Sequence, residues 1–369
     1  MNKNWIYRKF EDCLEKVKYT SKISTSDYLE EGKYPIVSQE EGLIAGFWNK
    51  EDDVFRTNKP IVIFGDHTRI LKYVNFDFVL GADGVKILQP IDGLSAKFLF
   101  YYLQWCNIPS LGYSRHYKLL KEIVIPIPNS EFQSRIVSEL DLLQSIIDKQ
   151  KAQLKELDNL AQSIFYDMFG DPVENEKGWK TIAWKDLFDT ILGKMLDVKK
   201  QNSNDERRCY LGNTNVQWCS FELNNLKTMT FSNKEIEKFS LKKGDILICE
   251  GGESGRCAVW EKENSDILFQ KAIHRARVKS PDTIEPHYIP FLMKKIRENN
   301  GLKNYVSQAT IEHLTGEKLK QLSIIVPPFS LQQSFATKIE SIEKQKAAIS
   351  KSIEETQKLF DYTMDKYFG

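Results

Sequence analysis

Residues 130–170 read SEFQSRIVSELDLLQSIIDKQKAQLKELDNLAQSIFYDMFG. Ile136, Leu140, Leu143, Ile147, Leu154, Leu157, Ala161, Ile164 and Met168 recur there in alternating steps of four and three, with Gln150 in the one polar slot. That is a heptad seam, a single apolar stripe on a helix that needs a partner helix. At about 1.5 Å per residue the seam is roughly 50 Å long. Ser130 and Gln133 have the spacing of a capping box at its start. Gly170 and Pro172 supply the stop signals at its end.

A second seam lies 199 residues further on: Phe335, Ile339, Ile342, Ile349, Ile353, Phe360 and Tyr367, with Lys346, Thr356 and Thr363 in the weaker slots. It too opens on a capping-box pair, Ser330 and Gln333, and it ends in Phe368-Gly369 as the first ends in Phe169-Gly170. Two long helices in one register indicate an internal repeat. The seams are expected to pair with each other, antiparallel, because the chain must cross a whole globular unit between them. That arrangement implies a pseudo-twofold internal repeat.

The chain has 369 residues and a formal net charge of +1, enough length for two or three domains and no gross charge imbalance. Its six cysteines form no CxxC pair, which reads as reduced, mostly buried thiols and no metal site. No apolar run is long enough to span a bilayer, so the chain is expected to be soluble and cytoplasmic.

Five segments follow. Residues 1–128 form a first globular unit, 129–170 a first spacer helix, 171–178 a linker, 179–326 a second globular unit and 327–369 a second spacer helix. In the first unit the spacing predicts a short helix over Trp5–Val17 and strands at Tyr34–Ser38, Pro60–Phe64, Phe76–Leu80 and Val85–Leu88. An aromatic-rich helix follows at Ala96–Cys106, then a last strand at Ile123–Ile125. The second unit repeats the order, with strands at Tyr210–Asn213, Asp245–Cys249, Ile267–Phe269 and Ile273–Lys279, a helix at Tyr288–Arg297 and a strand at Leu322–Val326. The fold class is α+β: two globular units joined by two long coiled-coil helices. The layout is shared while the side chains differ, which suggests a common frame carrying two different reading heads.

With that order on the page, the chain resembles the specificity (S) subunits of type I restriction–modification systems. The junction Ile325-Val326-Pro327-Pro328-Phe329-Ser330-Leu331-Gln332-Gln333 is similar to that family's apolar–Pro-Pro–x–x–x–Gln entry into a helix. The first copy, Ile125-Pro126-Ile127-Pro128-Asn129-Ser130-Glu131-Phe132-Gln133, departs from Pro-Pro. The resemblance implies two target-recognition domains, each reading half of a split double-stranded DNA sequence. It also implies a helical spacer docking two methyltransferase subunits, with restriction subunits attached through them. S-adenosylmethionine, ATP and magnesium are then expected only on the partner subunits.

The charges fit this weakly. Residues 1–128 hold 17 Lys+Arg against 16 Asp+Glu and residues 179–326 hold 24 against 19; the helices are 4 against 7 over 129–170 and 6 against 6 over 327–369. The positive balance therefore sits in the globular units, where phosphate would lie. Base reading needs paired donors and acceptors, and loops after the buried strands offer them. In the first unit these are Ser38, Gln39, Asp66, His67, Thr68 and Arg69, then Ser114, Arg115, His116, Tyr117 and Lys118. In the second they are Asn213, Thr214, Asn215, Glu253, Ser254, Arg256, Gln270, Lys271, His274, Arg275 and Arg277, then Gln308, Thr310, Glu312 and His313. Each could equally be a solvated turn residue. The five histidines are too scattered for zinc.

Enzyme motifs fail. Gly251–Arg256 lacks the GxxxxGK[ST] spacing of a phosphate loop. Val326-Pro327-Pro328-Phe329 is like an amino-methyltransferase motif, but Val326 cannot accept the hydrogen bond that chemistry needs. The expectation is a non-catalytic protein. Two alternatives remain open: a self-standing DNA methyltransferase, and a coiled-coil scaffold with two protein-binding heads that never meets DNA.

Overall fold

The computed structural model describes residues 5–82, 84–112, 114–195, 205–263, 265–306 and 312–369. The chain divides into two compact units, residues 1–152 with 350–369, and residues 153–349. Each unit thus takes half of each long helix.

Both long helices are uninterrupted over forty residues, Ser130–Phe169 and Phe329–Phe368, about 60 Å each. In the first unit Ile136, Leu140 and Ile147 of the first helix share a core with Phe360, Met364 and Phe368 of the second; Leu143, Ile353 and Tyr367 pack at its edge. In the second unit Ala161, Phe165 and Phe169 meet Phe335, Ile339 and Ile342, flanked by Leu157 and Ile164. The start of one helix therefore lies against the end of the other in each unit, which is antiparallel pairing. Leu154 and Ile349 are half-buried. Gln150 donates from Nε2 to Ser352 Oγ at 2.7 Å, so the polar slot of the seam is used. Late in the first helix Phe165 and Phe169 are more deeply buried than Ile164 and Met168. A straight α-helix drifts off a strict heptad by about 20° per repeat, and the aromatic Tyr288, 4.8 Å from Phe169, fills the flank so exposed.

The helix starts differ from the capping boxes expected. Asn129, not Ser130, caps the first helix, its Oδ1 accepting from Phe132 N–H at 2.8 Å. Gln133 does not reach back to the cap. Its buried amide donates to the carbonyls of Gly93 and Pro128 and accepts from Ser95 N–H, each at 2.8 Å. In the second helix Gln332, rather than Gln333, is buried, and it donates to Thr283 O at 3.2 Å and Pro327 O at 2.8 Å and accepts from Glu285 N–H at 3.0 Å. At the far end Gly170 adopts φ +74° and donates to Tyr166 O, the left-handed stop that a glycine permits.

The first unit opens with a strand where a helix was expected. Ile6–Lys9 pairs antiparallel with Val124–Ile127, and Phe10–Cys13 is a single 3-10 turn burying Phe10 and Cys13. Apolar residues three apart served one turn, while the ladder bonds satisfy the extended backbone before it. Two small sheets follow. Tyr34–Val37 pairs antiparallel with Gly46–Trp48 and parallel with Phe78–Leu80, which also pairs with Val54–Phe55. Ile61–Gly65, buried throughout, sits between Leu71–Val74 and Val85–Leu88. The helix Ala96–Trp105 starts at Ser95, whose hydroxyl accepts from Phe98 N–H, and buries Phe98, Leu99 and Tyr102 beside Phe368.

The second unit repeats the main pairings and adds a hairpin, Val216–Gln217 with Ser220–Phe221. Thr181–Ala183 pairs antiparallel with Ser323–Ile325. Glu206–Leu211 pairs antiparallel with Lys227–Phe231 and parallel with Leu268–Phe269. Ile246–Cys249 sits between Cys257–Val259 and Ile273–Val278, with Phe188–Leu192 added at the edge. The helix Tyr288–Glu298 packs Tyr288, Phe291 and Leu292 on Phe165, Phe169 and Phe335. Burying each such aromatic side chain contributes about 2–3 kcal/mol. All six cysteines are free thiols, and Cys13, Cys249 and Cys257 are fully buried. No helix among the described residues is long and apolar enough to cross a membrane.

Candidate nucleic-acid interface

In each unit three loops lie side by side at one edge: the loop after the first long strand, the loop after the central buried strand, and the loop before the last short helix. In the first unit they are residues 38–42, 66–69, and 110–112 with 114–118. Asp66 joins two of them. Its carbonyl accepts from His116 N–H at 2.8 Å and faces His116 Nδ1 at 2.9 Å, and its carboxylate accepts from Tyr117 N–H at 2.7 Å. Leu111 N–H donates to His116 Nε2 at 3.0 Å, so the imidazole carries its proton on Nδ1 and both ring nitrogens are engaged. Arg69, at φ +64°, donates from Nη1 to Ile108 O at 2.9 Å.

The remaining loop is tied by Gln39 and Lys72. Gln39 O accepts from Thr68 Oγ1 at 2.6 Å and Gln39 Oε1 from His67 N–H at 3.2 Å. The buried Lys72 amine donates to Ser38 O at 2.8 Å and to Gly42 O. Burial holds its pKa below the ordinary lysine value, with the Glu40 charge opposing. Ser38 Oγ accepts from Glu40 N–H.

The second unit stitches the matching loops, 212–217, 250–256 and 312–315, with other side chains. Asn213 Nδ2 donates to Gly251 O at 2.8 Å, and Arg256 Nη2 donates back to Asn213 O at 3.0 Å. Asn215 Oδ1 accepts from Gly212 N–H, and its Nδ2 donates to Glu222 O. Ser254 Oγ lies 2.9 Å from Glu312 O, and Leu314 N–H donates to Glu250 O at 2.7 Å. His313 covers Gly251, where a Cβ would come within 3.2 Å of the imidazole. Arg297 links the last two loops, donating to Ser254 O and to Glu312, each at 2.9 Å. Glu253 accepts from Trp218 Nε1 at 2.7 Å and pairs with Arg256.

This geometry corrects part of the sequence reading. Ser38, Asp66, His116, Ser254, His274 and Arg275 are buried, so their side chains hold backbone and do not reach a base edge. His274 Nε2 faces Leu314 O at 3.0 Å, and burial holds its pKa below the free value. Arg275 donates to the carbonyls of Lys238 and Ser240. Arg277 is locked on the buried Asp245. A polar residue on a loop satisfies the buried backbone around it before it serves a ligand.

Six of the chosen residues are exposed: Thr68, whose hydroxyl donates to Gln39 O, and Arg115, Lys118, Thr214, Lys271 and His313. Gln39, His67, Arg69, Ser114, Tyr117 and Gln270 are half-exposed. Gln308 and Thr310 lie outside the described residues. The sequence reading missed Lys72, Arg297 and Gln332; Gln332 had a signal, since it stands 199 residues after Gln133. No cluster of metal-ligating side chains occurs among the described residues.

Two units that repeat one loop-bearing frame on paired helices define a protein with two recognition heads. The model of the type I restriction modification DNA specificity domain matches residues 2–159 and 176–357, and the chain belongs to that family. It is 23% identical over 320 residues to the type I restriction enzyme MjaIX specificity subunit of Methanocaldococcus jannaschii, covering 77% of this chain and 70% of that protein. It is 22% identical over 247 residues to the EcoKI specificity subunit of Escherichia coli, covering 63% of this chain and 53% of that protein. The fold is similar to a crystal structure of the type I restriction–modification S subunit from M. genitalium, with a TM-score of 0.60 at 15% identity, covering 100% of this chain and 98% of that one. A chain from a study of complex assembly and conformational transition in a type I system gives a TM-score of 0.58 at 15% identity, with the same coverage.

Proposed function

We propose that this chain is the DNA-reading subunit of a type I restriction–modification complex and that each unit reads one half of a split duplex target through its three stitched loops. The observation that carries the reading is the repeat itself. A parallel strand pair and a buried central strand between two antiparallel neighbours occur in both units, while the side chains that join and line the loops differ, as two unlike half-sites require. Arg115 and Lys118 in the first unit and Lys271 in the second keep exposed cationic ends suited to phosphate or guanine.

The paired helices dock two methyltransferase subunits, and restriction subunits join through those. The chain itself is non-catalytic; its partners bind S-adenosylmethionine, ATP and magnesium. With a formal net charge of +1 the lone subunit holds DNA weakly, because phosphate neutralisation supplies most non-specific affinity.

The test exchanges residues 179–326 for the matching head of another family member in a cell that carries the whole system. Sequencing of methylated bases is expected to show one half-site changed and the other kept. A change in both halves, or methylation at no split site, sinks the reading. A lone subunit that takes up S-adenosylmethionine would favour a self-standing methyltransferase instead.

A further inference from the structure

Gln133 and Gln332 do the same thing in the two units. Each is an amide at the start of a long helix, 2% and 0% exposed. Each spends both N–H groups on carbonyls and its oxygen on a backbone N–H. In each, one accepting carbonyl belongs to the proline just before the long helix, Pro128 or Pro327. The other two partners lie just before the aromatic helix, Gly93 and Ser95 or Thr283 and Glu285. An amide is a small rigid group, so three bonds to it hold three backbone atoms at short range from one another.

The node joins what it must to set an angle. The proline carbonyl follows a strand paired to the opening strand of the unit. Ser95 caps the aromatic helix, and Glu285 accepts from His287 N–H at that helix's start. Carboxylate, methyl or a shorter amide cannot make the three bonds at this reach. We infer that Gln133 and Gln332 are positioning residues that fix how each loop-bearing unit stands on its own long-helix segment, and so how strictly the complex demands its native gap between half-sites. This rests on the reading of the units as heads on a split target.

The experiment uses the full complex and oligonucleotide duplexes with the native gap and gaps one base pair longer and shorter. Methylation rates are measured for wild type, Gln133→Met, Gln332→Met and Gln133→Glu. A lower amount of folded protein scales all three duplexes together and leaves their ratio alone. A loosened head changes the ratio. The expected result is at least a threefold fall in preference for the native gap in each methionine variant, with a smaller fall for Gln133→Glu, which keeps the acceptor for Ser95 N–H. An unchanged ratio overturns the inference. So does failure of both Gln133 variants to assemble, because the amide is then a folding residue. A wild-type complex that methylates none of the duplexes overturns the split-target reading instead, and the same plate shows it.

Discussion

Arg277 grips Asp245 with two parallel hydrogen bonds, Nε to Oδ1 at 2.7 Å and Nη2 to Oδ2 at 2.8 Å. Asp245 is 1% exposed and also accepts from Lys242 N–H. The pair ties the two inner strands of the second unit's central sheet, and Arg277→Ala leaves a buried carboxylate without its cation. Losing one partner of a fully buried pair costs about 3–5 kcal/mol. The half-exposed arginine lowers the expected loss to about 2–3 kcal/mol, read as a shift in the melting of the purified chain. A variant that melts as wild type does would return Arg277 to the candidate readers.

Exposed cations should behave in the opposite way. Lys118→Ala and Lys271→Ala leave melting unchanged, since both head groups stand in solvent. Each removed phosphate contact is expected to reduce the log–log salt slope of DNA binding by about 1 and to weaken binding evenly across sequences. Titration of the assembled complex at several salt concentrations measures it. A slope equal to wild type rules that lysine out as a phosphate contact.

On the first long helix, neighbours should differ sharply. Ile147 is 1% exposed and Leu142 is 63% exposed. Ile147→Asp buries an unpaired charge in the seam and is expected to cost more than about 4 kcal/mol, enough to prevent stable folding. Leu142→Asp is expected within about 0.5 kcal/mol of wild type. Circular dichroism melting of both variants decides the matter, and equal melting of the two would refute the seam as drawn.

His287 gives the second unit a pH dependence. Its two ring nitrogens face Glu285 and Glu261, and these carboxylates raise its pKa from 6.5 to about 9, the hydrogen bond to Glu285 being the largest cause. A folded-state pKa above the free value means that folding favours proton uptake. The imidazolium therefore contributes fully below pH 6.5 and loses its contribution as pH rises towards 9. His287→Gln is expected to narrow the gap to wild type across that window in a melting series. A constant difference between pH 6 and 9.5 would show that the ring acts by packing alone.

The long helices were legible because their signal is periodic and strong: ten slots of one seam, nine of them apolar, repeated at one offset. The paired strands were legible from β-branched runs such as Ile61–Phe64. The opening segment was misread because Phe10 and Cys13 have helical spacing over a single turn, and only the distant strand Val124–Ile127 decides its conformation. The candidate site was legible only as a set of loops. A sequence shows that His116 and Arg275 are polar; it does not show that Asp66 O and Ser240 O lie within their reach. Gln332 shows the same limit from the other side. Its partner Gln133 was in view, but a local cap at Ser330 competed with a contact to Glu285, forty-seven residues away.

The division of each helix between two units has a consequence for synthesis. Residues 153–349 are contiguous, so the second unit has all its parts once they have left the ribosome. The first unit does not; its core needs Phe360, Met364 and Phe368. Until those residues arrive, Ile136, Leu140 and Phe98 lack part of their cover, and exposed apolar surface of this kind recruits chaperones or aggregates. The half of the protein made first is thus the half completed last, and nonsense mutations near position 350 should damage the amino-terminal unit rather than the one beside them.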